Sequence, residues 1–224
     1  PTLLYRALRR LKSLALAAAG EHRDIVGHEL VDDVVMVDQS PIGKTTRSNP
    51  ASYVGALGAI RKLFAETPLA RERNYTPGTF SFNSGNGRCP TCTGNGFQHV
   101  EMQFLSDVYI RCADCDGRRY RPEVLDVKVE GLKSIADILD MTISEACEFF
   151  HDRNDITGAL EPLRAVGLGY LRLGQPVPTL SGGEAQRLKL AGHLARSKGR
   201  KRTGPALFLF DEPTTGLHFD DVAV

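Results

Sequence analysis

Two short stretches carry residue types suited to phosphate chemistry. In Leu180-Ser181-Gly182-Gly183-Glu184-Ala185-Gln186-Arg187 a serine is followed three positions later by a glutamate, and then by apolar residues at helical spacing (Ala185, Leu188, Leu190, Ala191, Leu194, Ala195). That is the pattern of a capping box opening a helix, with Ser181 as its cap. Gly182 and Gly183 remove Cβ atoms where the first free N–H groups emerge, so an anionic oxygen can approach a helix end carrying about half a positive charge. A serine capping box by itself usually only starts a helix. The second stretch gives it a partner: Ala206-Leu207-Phe208-Leu209-Phe210 reads as a buried strand and ends in Asp211-Glu212-Pro213. There Asp211 can hold Mg²⁺ through water and Glu212 can polarise an attacking water, the division of labour that phosphoryl transfer needs.

A second chemistry stands in the middle of the chain. Four of the five cysteines form Cys89-x2-Cys92 and Cys112-x2-Cys115, with nineteen residues between the pairs, the spacing that brings four thiolates round one tetrahedral ion, zinc. A disulfide framework does not suit a chain of this length. Cys147 reads as a small buried hydrophobe. Arg88, Arg111, Arg118, Arg119 and Arg121 crowd the module, with Tyr109 and Tyr120 nearby. Arg88, Arg118, Arg119 and Arg121 are candidates to grip a DNA backbone, although zinc ribbons are as often purely structural.

Composition bounds the class. The 224 residues are 42% hydrophobic, with 28 Lys+Arg against 27 Asp+Glu, so net charge neither supports nor excludes nucleic acid. No apolar run approaches the roughly twenty residues of a membrane span, and the opening Pro1-Thr2-Leu3-Leu4-Tyr5-Arg6 is unlike a secretory signal, so a cytoplasmic protein without a membrane partner is expected.

The elements that must position these residues follow from periodicity and turn chemistry. Residues 2–19 read as a helix with a basic face, closed by Gly20, and residues 34–38 as a short buried strand. Gly43-Lys44-Thr45 is not a P-loop, because Asp38 stands where the pattern requires a glycine. Ser48-Asn49-Pro50 opens a core helix through Tyr53, Leu57, Ile60, Leu63 and Phe64. Glycine, proline and asparagine dominate residues 74–96, which marks a change of domain. Residues 97–110 read as strands, 134–139, 142 onward and 155–166 as helices, 167–176 as the loop into the Ser181 helix, and 197–202 as a basic surface loop.

Together these words resemble a family. Leu180 to Glu184 followed by Leu209-Phe210-Asp211-Glu212-Pro213-Thr214-Thr215-Gly216-Leu217 resembles the signature and Walker B of ABC-type ATPases. Val37-Asp38-Gln39-Ser40-Pro41-Ile42-Gly43, Phe80-Ser81-Phe82-Asn83, Gly167-Leu168-Gly169-Tyr170 and the zinc knuckles resemble the UvrA family, the A component of excinuclease ABC, in its C-terminal ATPase half, over essentially the whole chain. The resemblance implies an α/β fold, an ABC-type P-loop ATPase fragment with an inserted zinc-binding α+β signature domain. It would consist of a first ATPase segment at residues 1–46, the insert at 47–178 and a second ATPase segment at 179–224.

It also implies roles: Gln39 as the Q-loop glutamine near Mg²⁺, Ser181, Gly182, Gly183 and Glu184 as the signature, Asp211 as the Walker B aspartate, Glu212 as the catalytic glutamate, and Thr215 to His218 as the D-loop. Cofactors implied are zinc, ATP and Mg²⁺. Partners implied are damaged double-stranded DNA, the B component of the excinuclease, a second copy in a homodimer, and the opposite ATPase domain, whose nucleotide the signature serves. No Walker A precedes Pro1 and no switch histidine follows Val224, so a fragment of a larger protein is expected, inactive as an ATPase by itself. The function implied is ATP-driven damage recognition in bacterial nucleotide excision repair, with loading of the next repair component. The competing readings are a drug-resistance paralogue, a zinc-dependent DNA- or protein-binding module on a non-hydrolysing ABC scaffold, and an ABC ATPase of a transporter or ribosome-associated factor. The zinc insert argues against the last.

Overall fold

Two β-favouring runs far apart in the chain meet as one parallel pair. The structure is a computed structural model and describes residues 2–12, 20–40, 42–43, 45, 47–100, 102, 108–130, 132–198 and 204–212. Strand β1 (Asp33–Val37) lies parallel to β4 (Ala206–Phe210), with Asp33 opposite Ala206 and Val37 opposite Phe210. Parallel strands require a crossover, and here the crossover is everything between residues 37 and 206. Both strands therefore end at the same edge, the side of a parallel sheet where ligands are bound. Helix α1 (Thr2–Leu11) packs on β1 and buries Ala7 and Leu8. The rest of the helix expected over residues 2–19 lies, from 13 on, outside the described residues.

The crossover folds mainly into short helices started by side-chain caps. Asn49 and Ser52 form a capping box for α2 (Pro50–Tyr53), after which Gly55, at φ +87°, breaks the expected single helix and α3 (Ala56–Ala65) starts anew. After α4 (Pro68–Glu72) the chain enters the cysteine module, where β2 (Phe97–Val100) pairs antiparallel with β3 (Val108–Arg111). It leaves through α5 (Pro122–Leu125), and capping boxes at Ser134/Asp137 and Thr142/Glu145 open α6 (Ile135–Asp140) and α7 (Ile143–Phe149). Then follow α8 (Asn154–Ala165) and α9 (Gly182–Lys198).

Ile60, Phe64, Phe80, Ile138, Ile156, Leu160 and Leu188 are sealed in one hydrophobic core, with Cys147 at its margin as a buried thiol. Helix α9 packs on α8 and places Leu188 and Ala191 in that core, while also touching β1. Packing is thus continuous across the boundary expected at residue 178, and α9 is the element shared by sheet and helical lobe. It runs on through Ser197 and Lys198, where a loop is expected, because the helical ladder is not broken there. Residues 199–203 lie outside the described residues.

Leu188 makes the lobe testable. Leu188→Ala should lower unfolding free energy by about 2–5 kcal/mol, read as a lower urea midpoint at unchanged m-value.

Candidate nucleotide-facing edge and metal cluster

The start of α9 is built as its sequence requires. The Ser181 hydroxyl accepts the Glu184 N–H at 3.2 Å, and the Glu184 carboxylate accepts the Ser181 N–H at 2.7 Å. Its other oxygen accepts the Tyr170 hydroxyl at 2.8 Å. The Glu184 side chain is therefore engaged in holding the shape of the motif. Burial alone would push its carboxyl up, but the bonds from Ser181 and Tyr170 outweigh that and hold it below the ordinary glutamate value. The same contact, together with burial, pushes the Tyr170 hydroxyl up. Gly183 is buried and Gly182 exposed.

Gln39, Gly182, Asp211 and Glu212 come together at the carboxyl edge of β1 and β4. A Cβ on Gly182 would stand 3.1 Å from Gln39 Oε1, so the absence of a side chain lets the helix start and the glutamine approach each other. Gln39 Nε2 donates to the Glu212 carbonyl at 3.3 Å. Glu212 takes φ +48°, the left-handed region that non-glycine residues enter only when their surroundings hold them there. The Asp211 N–H donates to the Val37 carbonyl at 3.2 Å, extending the ladder one residue beyond the strand, and the side chains of Asp211 and Glu212 are exposed at the edge. Thr215 to His218 lie outside the described residues.

Two residues of α9 complete the edge without having been singled out by motif. Gln186, 4% exposed, donates through Nε2 to the carbonyls of both Val37 (2.9 Å) and Asp211 (3.0 Å), one at each strand end. Lys189 donates to the Asp38 carbonyl at 3.0 Å and to the Ser40 hydroxyl at 2.6 Å, and it pairs with the Asp38 carboxylate. Burial would raise the Asp38 carboxyl, yet Lys189 and Ser40 together keep it low. Both neighbours of Gln39 are thereby tied to the helix that Ser181 caps. The available signal was an amide and an ammonium lying within the turns that bury Ala185, Leu188 and Ala191.

The four module cysteines converge as their spacing requires. Cys89, Cys92, Cys112 and Cys115 are all buried, with their sulfurs within 4.8 Å of one another and Cys92 to Cys115 at 3.7 Å. Four sulfurs held tetrahedrally at about 2.3 Å from zinc stand roughly 3.8 Å apart. The donor set fits that ion. Each knuckle also aims a backbone N–H at the second sulfur of its pair: Gly96 to Cys92 at 3.2 Å and Arg119 to Cys115 at 3.4 Å. Thr93 and Asp116, the residues just after those cysteines, take matching left-handed conformations (φ +50° and +44°). Burial pushes the thiols of Cys92 and Cys115 up, a penalty on the charged form that a bound cation reverses.

The arginines divide by position. Arg88 folds back on its own loop, donating to the carbonyls of Gly85, Asn83 and Thr93, and Arg121 is exposed and donates to the Arg88 carbonyl. Arg118 is exposed on a cleft of about 630 Å³ shared with Tyr109, Arg111 and Arg172. Arg119 borders the same cleft but is only 3% exposed: it stacks on Phe82 and Phe97 and donates to the Gly174 carbonyl at 3.0 Å. No helix among the described residues is long and apolar enough to cross a membrane.

Comparison with known proteins finds relatives over nearly the whole chain. UvrABC system protein A of Methanothermobacter thermautotrophicus is 53% identical over 98% of this chain, and that of Thermus thermophilus 54% identical over 99%. The aligned region is 22% and 23% of those proteins, so the chain spans less than a quarter of the curated relatives it matches. The crystal structure of UvrA2 from Deinococcus radiodurans superposes with a TM-score of 0.81 at 53% identity, covering 88% of this chain and 24% of that one. No family profile matches the chain.

The Glu184 cap carries a pH signature. A carboxyl held below its ordinary value contributes stability that is present above pH 4.5 and is lost as pH falls through the lowered value. Glu184→Gln should cost about 1 kcal/mol at pH 7, and its gap to the wild type should close on acidification. Parallel denaturation curves at pH 7 and at strongly acid pH check this.

Proposed function

Because the chain belongs, over the stretch it spans, to the UvrA family, we propose that it contributes to a DNA-damage recognition protein of nucleotide excision repair that binds and hydrolyses ATP. The observation that carries this reading is the convergence of Gln39, Gly182, Asp211 and Glu212 at the carboxyl edge of a parallel strand pair. In this reading the chain contributes two segments of an ABC-type ATPase, residues 1–46 and 179–224, with 47–178 as an inserted signature domain carrying zinc.

The residues then take distinct tasks. Asp211 holds Mg²⁺ through water, Gln39 stands beside it, and Glu212 polarises the attacking water as base. Bound Mg²⁺ neutralises charge developing on the transferred phosphoryl group. The helix start at Ser181, Gly182 and Gly183 offers its free N–H groups to a phosphate, in ABC manner that of a nucleotide held by an opposite ATPase domain. Glu184 contributes by keeping that helix start in shape through Ser181 and Tyr170. Cys89, Cys92, Cys112 and Cys115 hold zinc as a structural staple. The module then offers Arg118 and Arg121 to the backbone of damaged duplex DNA, with Arg88 bracing the loop beneath them. The B component of the excinuclease and a second copy of the protein are the further partners proposed.

In the intact protein, Glu212→Gln should reduce ATP turnover by about 10²- to 10⁴-fold while leaving ATP and DNA binding in place; wild-type turnover would remove Glu212 from the base role. Replacing Arg118 and Arg121 together by alanine should make DNA binding less salt-dependent, by about 0.9 in the log–log slope for each phosphate no longer neutralised. An unchanged slope in fluorescence-anisotropy titrations takes both residues off the DNA.

A further inference from the structure

Arg119 is 3% exposed although it borders the cleft that the exposed Arg118 lines, and a guanidinium so buried draws on its surroundings to answer the charge. Its main chain touches both knuckles: its N–H donates to Cys115 Sγ at 3.4 Å, and its carbonyl accepts the Cys89 N–H at 2.9 Å. Its backbone is left-handed, at φ +72°. Its guanidinium lies across the rings of Phe82 and Phe97, at 5.0 and 6.0 Å from their centroids. Gly96 makes the passage possible, since a Cβ there would meet Arg119 Cγ at 2.9 Å. At its far end Nη2 donates to the Gly174 carbonyl at 3.0 Å.

Gly174 stands at the head of a stiff path to the signature. Its N–H donates to the Leu139 carbonyl at 2.6 Å, and a Cβ on it would collide with that same carbonyl. Beyond it Val177 N–H donates to Ser48 at 2.8 Å and Leu180 N–H to Val177 at 3.1 Å, and the next residue is Ser181. We propose that Arg119 is a positioning residue: its guanidinium is the counter-charge of the loaded four-cysteine centre and the strut by which that centre sets the turn ahead of the Ser181 helix start. A divalent ion held by four thiolates leaves a net charge of about −2, which favours a cation whose main chain is bonded to both knuckles. Metal loading therefore fixes Arg119, Arg119 fixes Gly174, and Gly174 fixes the approach to the signature. The proposal rests on the zinc reading of Cys89, Cys92, Cys112 and Cys115.

The test uses the intact protein and two local readouts, peptide-resolved alkylation of Cys92 and Cys115 under a zinc chelator and amide hydrogen exchange over residues 174–184. Arg119→Met should speed alkylation about tenfold and speed exchange at 174–184 while α8 stays protected. Arg119→Lys keeps the charge on a stem without the planar fork, so its alkylation should stay near wild type while exchange at 174–184 still rises. Stripping zinc from the wild type should raise exchange at 174–184, and stripping it from Arg119→Met should add nothing further there. Wild-type alkylation in Arg119→Met, or an equal rise in exchange on stripping both proteins, overturns the proposal. Should Arg119→Met lose α8 protection as well, the zinc-stripped wild type decides, and unchanged exchange at 174–184 overturns it. Cysteines that alkylate at full rate without chelator sink the zinc reading and this proposal together, leaving the Glu212→Gln result to judge the ATPase reading separately.

Discussion

One buried amide sets the geometry on which the candidate nucleotide edge depends. Where β1 and β4 end, the Val37 carbonyl accepts the last ladder bond, from the Asp211 N–H, and Gln186 of α9 donates to the carbonyls of both Val37 and Asp211. Removing that amide would leave the Val37 carbonyl with its ladder bond and the Asp211 carbonyl to find another partner, and an unsatisfied buried group costs about 1–3 kcal/mol. The bonds also fix the rotation of α9. Successive residues of a helix turn by about 100°, so a slip of one position would carry Gln186 off the strand ends and Gly182 away from Gln39. Helix register, strand pairing and the approach of Gly182 to Gln39 are thus a single constraint.

The long crossover explains why the lobe relies on local devices. Loop-closure entropy grows slowly with length, so bringing β1 and β4 together is the lesser cost; ordering each residue of the crossover costs about 1–2 kcal/mol. Short helices are marginal in isolation, and here capping boxes at Asn49, Ser134 and Thr142 start three of them while the apolar core holds them together. Among the described residues the buried cluster of the cysteine module consists of Cys89, Cys92, Cys112 and Cys115 themselves, so a metal held there would contribute to folding and not only to shape.

What was legible in the sequence was what four or five consecutive residues decide. The Ser181/Glu184 box, the Asn49-Pro50 helix start and the two knuckles are local chemistry, and each stands where expected. The bonds that assemble the site span 149 and 173 positions along the chain (Gln186 to Val37, Gln39 to Glu212), and no local pattern encodes them. Gly55 was silent for a related reason, since apolar spacing continues through it while its φ does not. Arg119 illustrates the limit best. It belongs by sequence to a run of arginines, yet its side chain is buried against Phe82 and Phe97 while Arg118 is exposed, so counting charge along the module could not separate the two.

Precision at the edge comes through main-chain contacts made by side chains elsewhere. Asp211 and Glu212 are each held by their carbonyls, one by Gln186 and the other by Gln39, and this leaves their exposed side chains at the edge where a cation and water can approach. A left-handed non-glycine residue costs of order 1–3 kcal/mol and persists only where neighbouring contacts over-determine it; at Glu212 the Gln39 bond is one such contact. Gln39 in turn sits between Asp38 and Ser40, which Lys189 binds, and Lys189 lies one turn along α9 from Gln186. The helix that starts at Gly182 therefore also sets the backbone that presents the carboxylates. Any shift of the start of α9 bears on Gln39, Asp211 and Glu212 together.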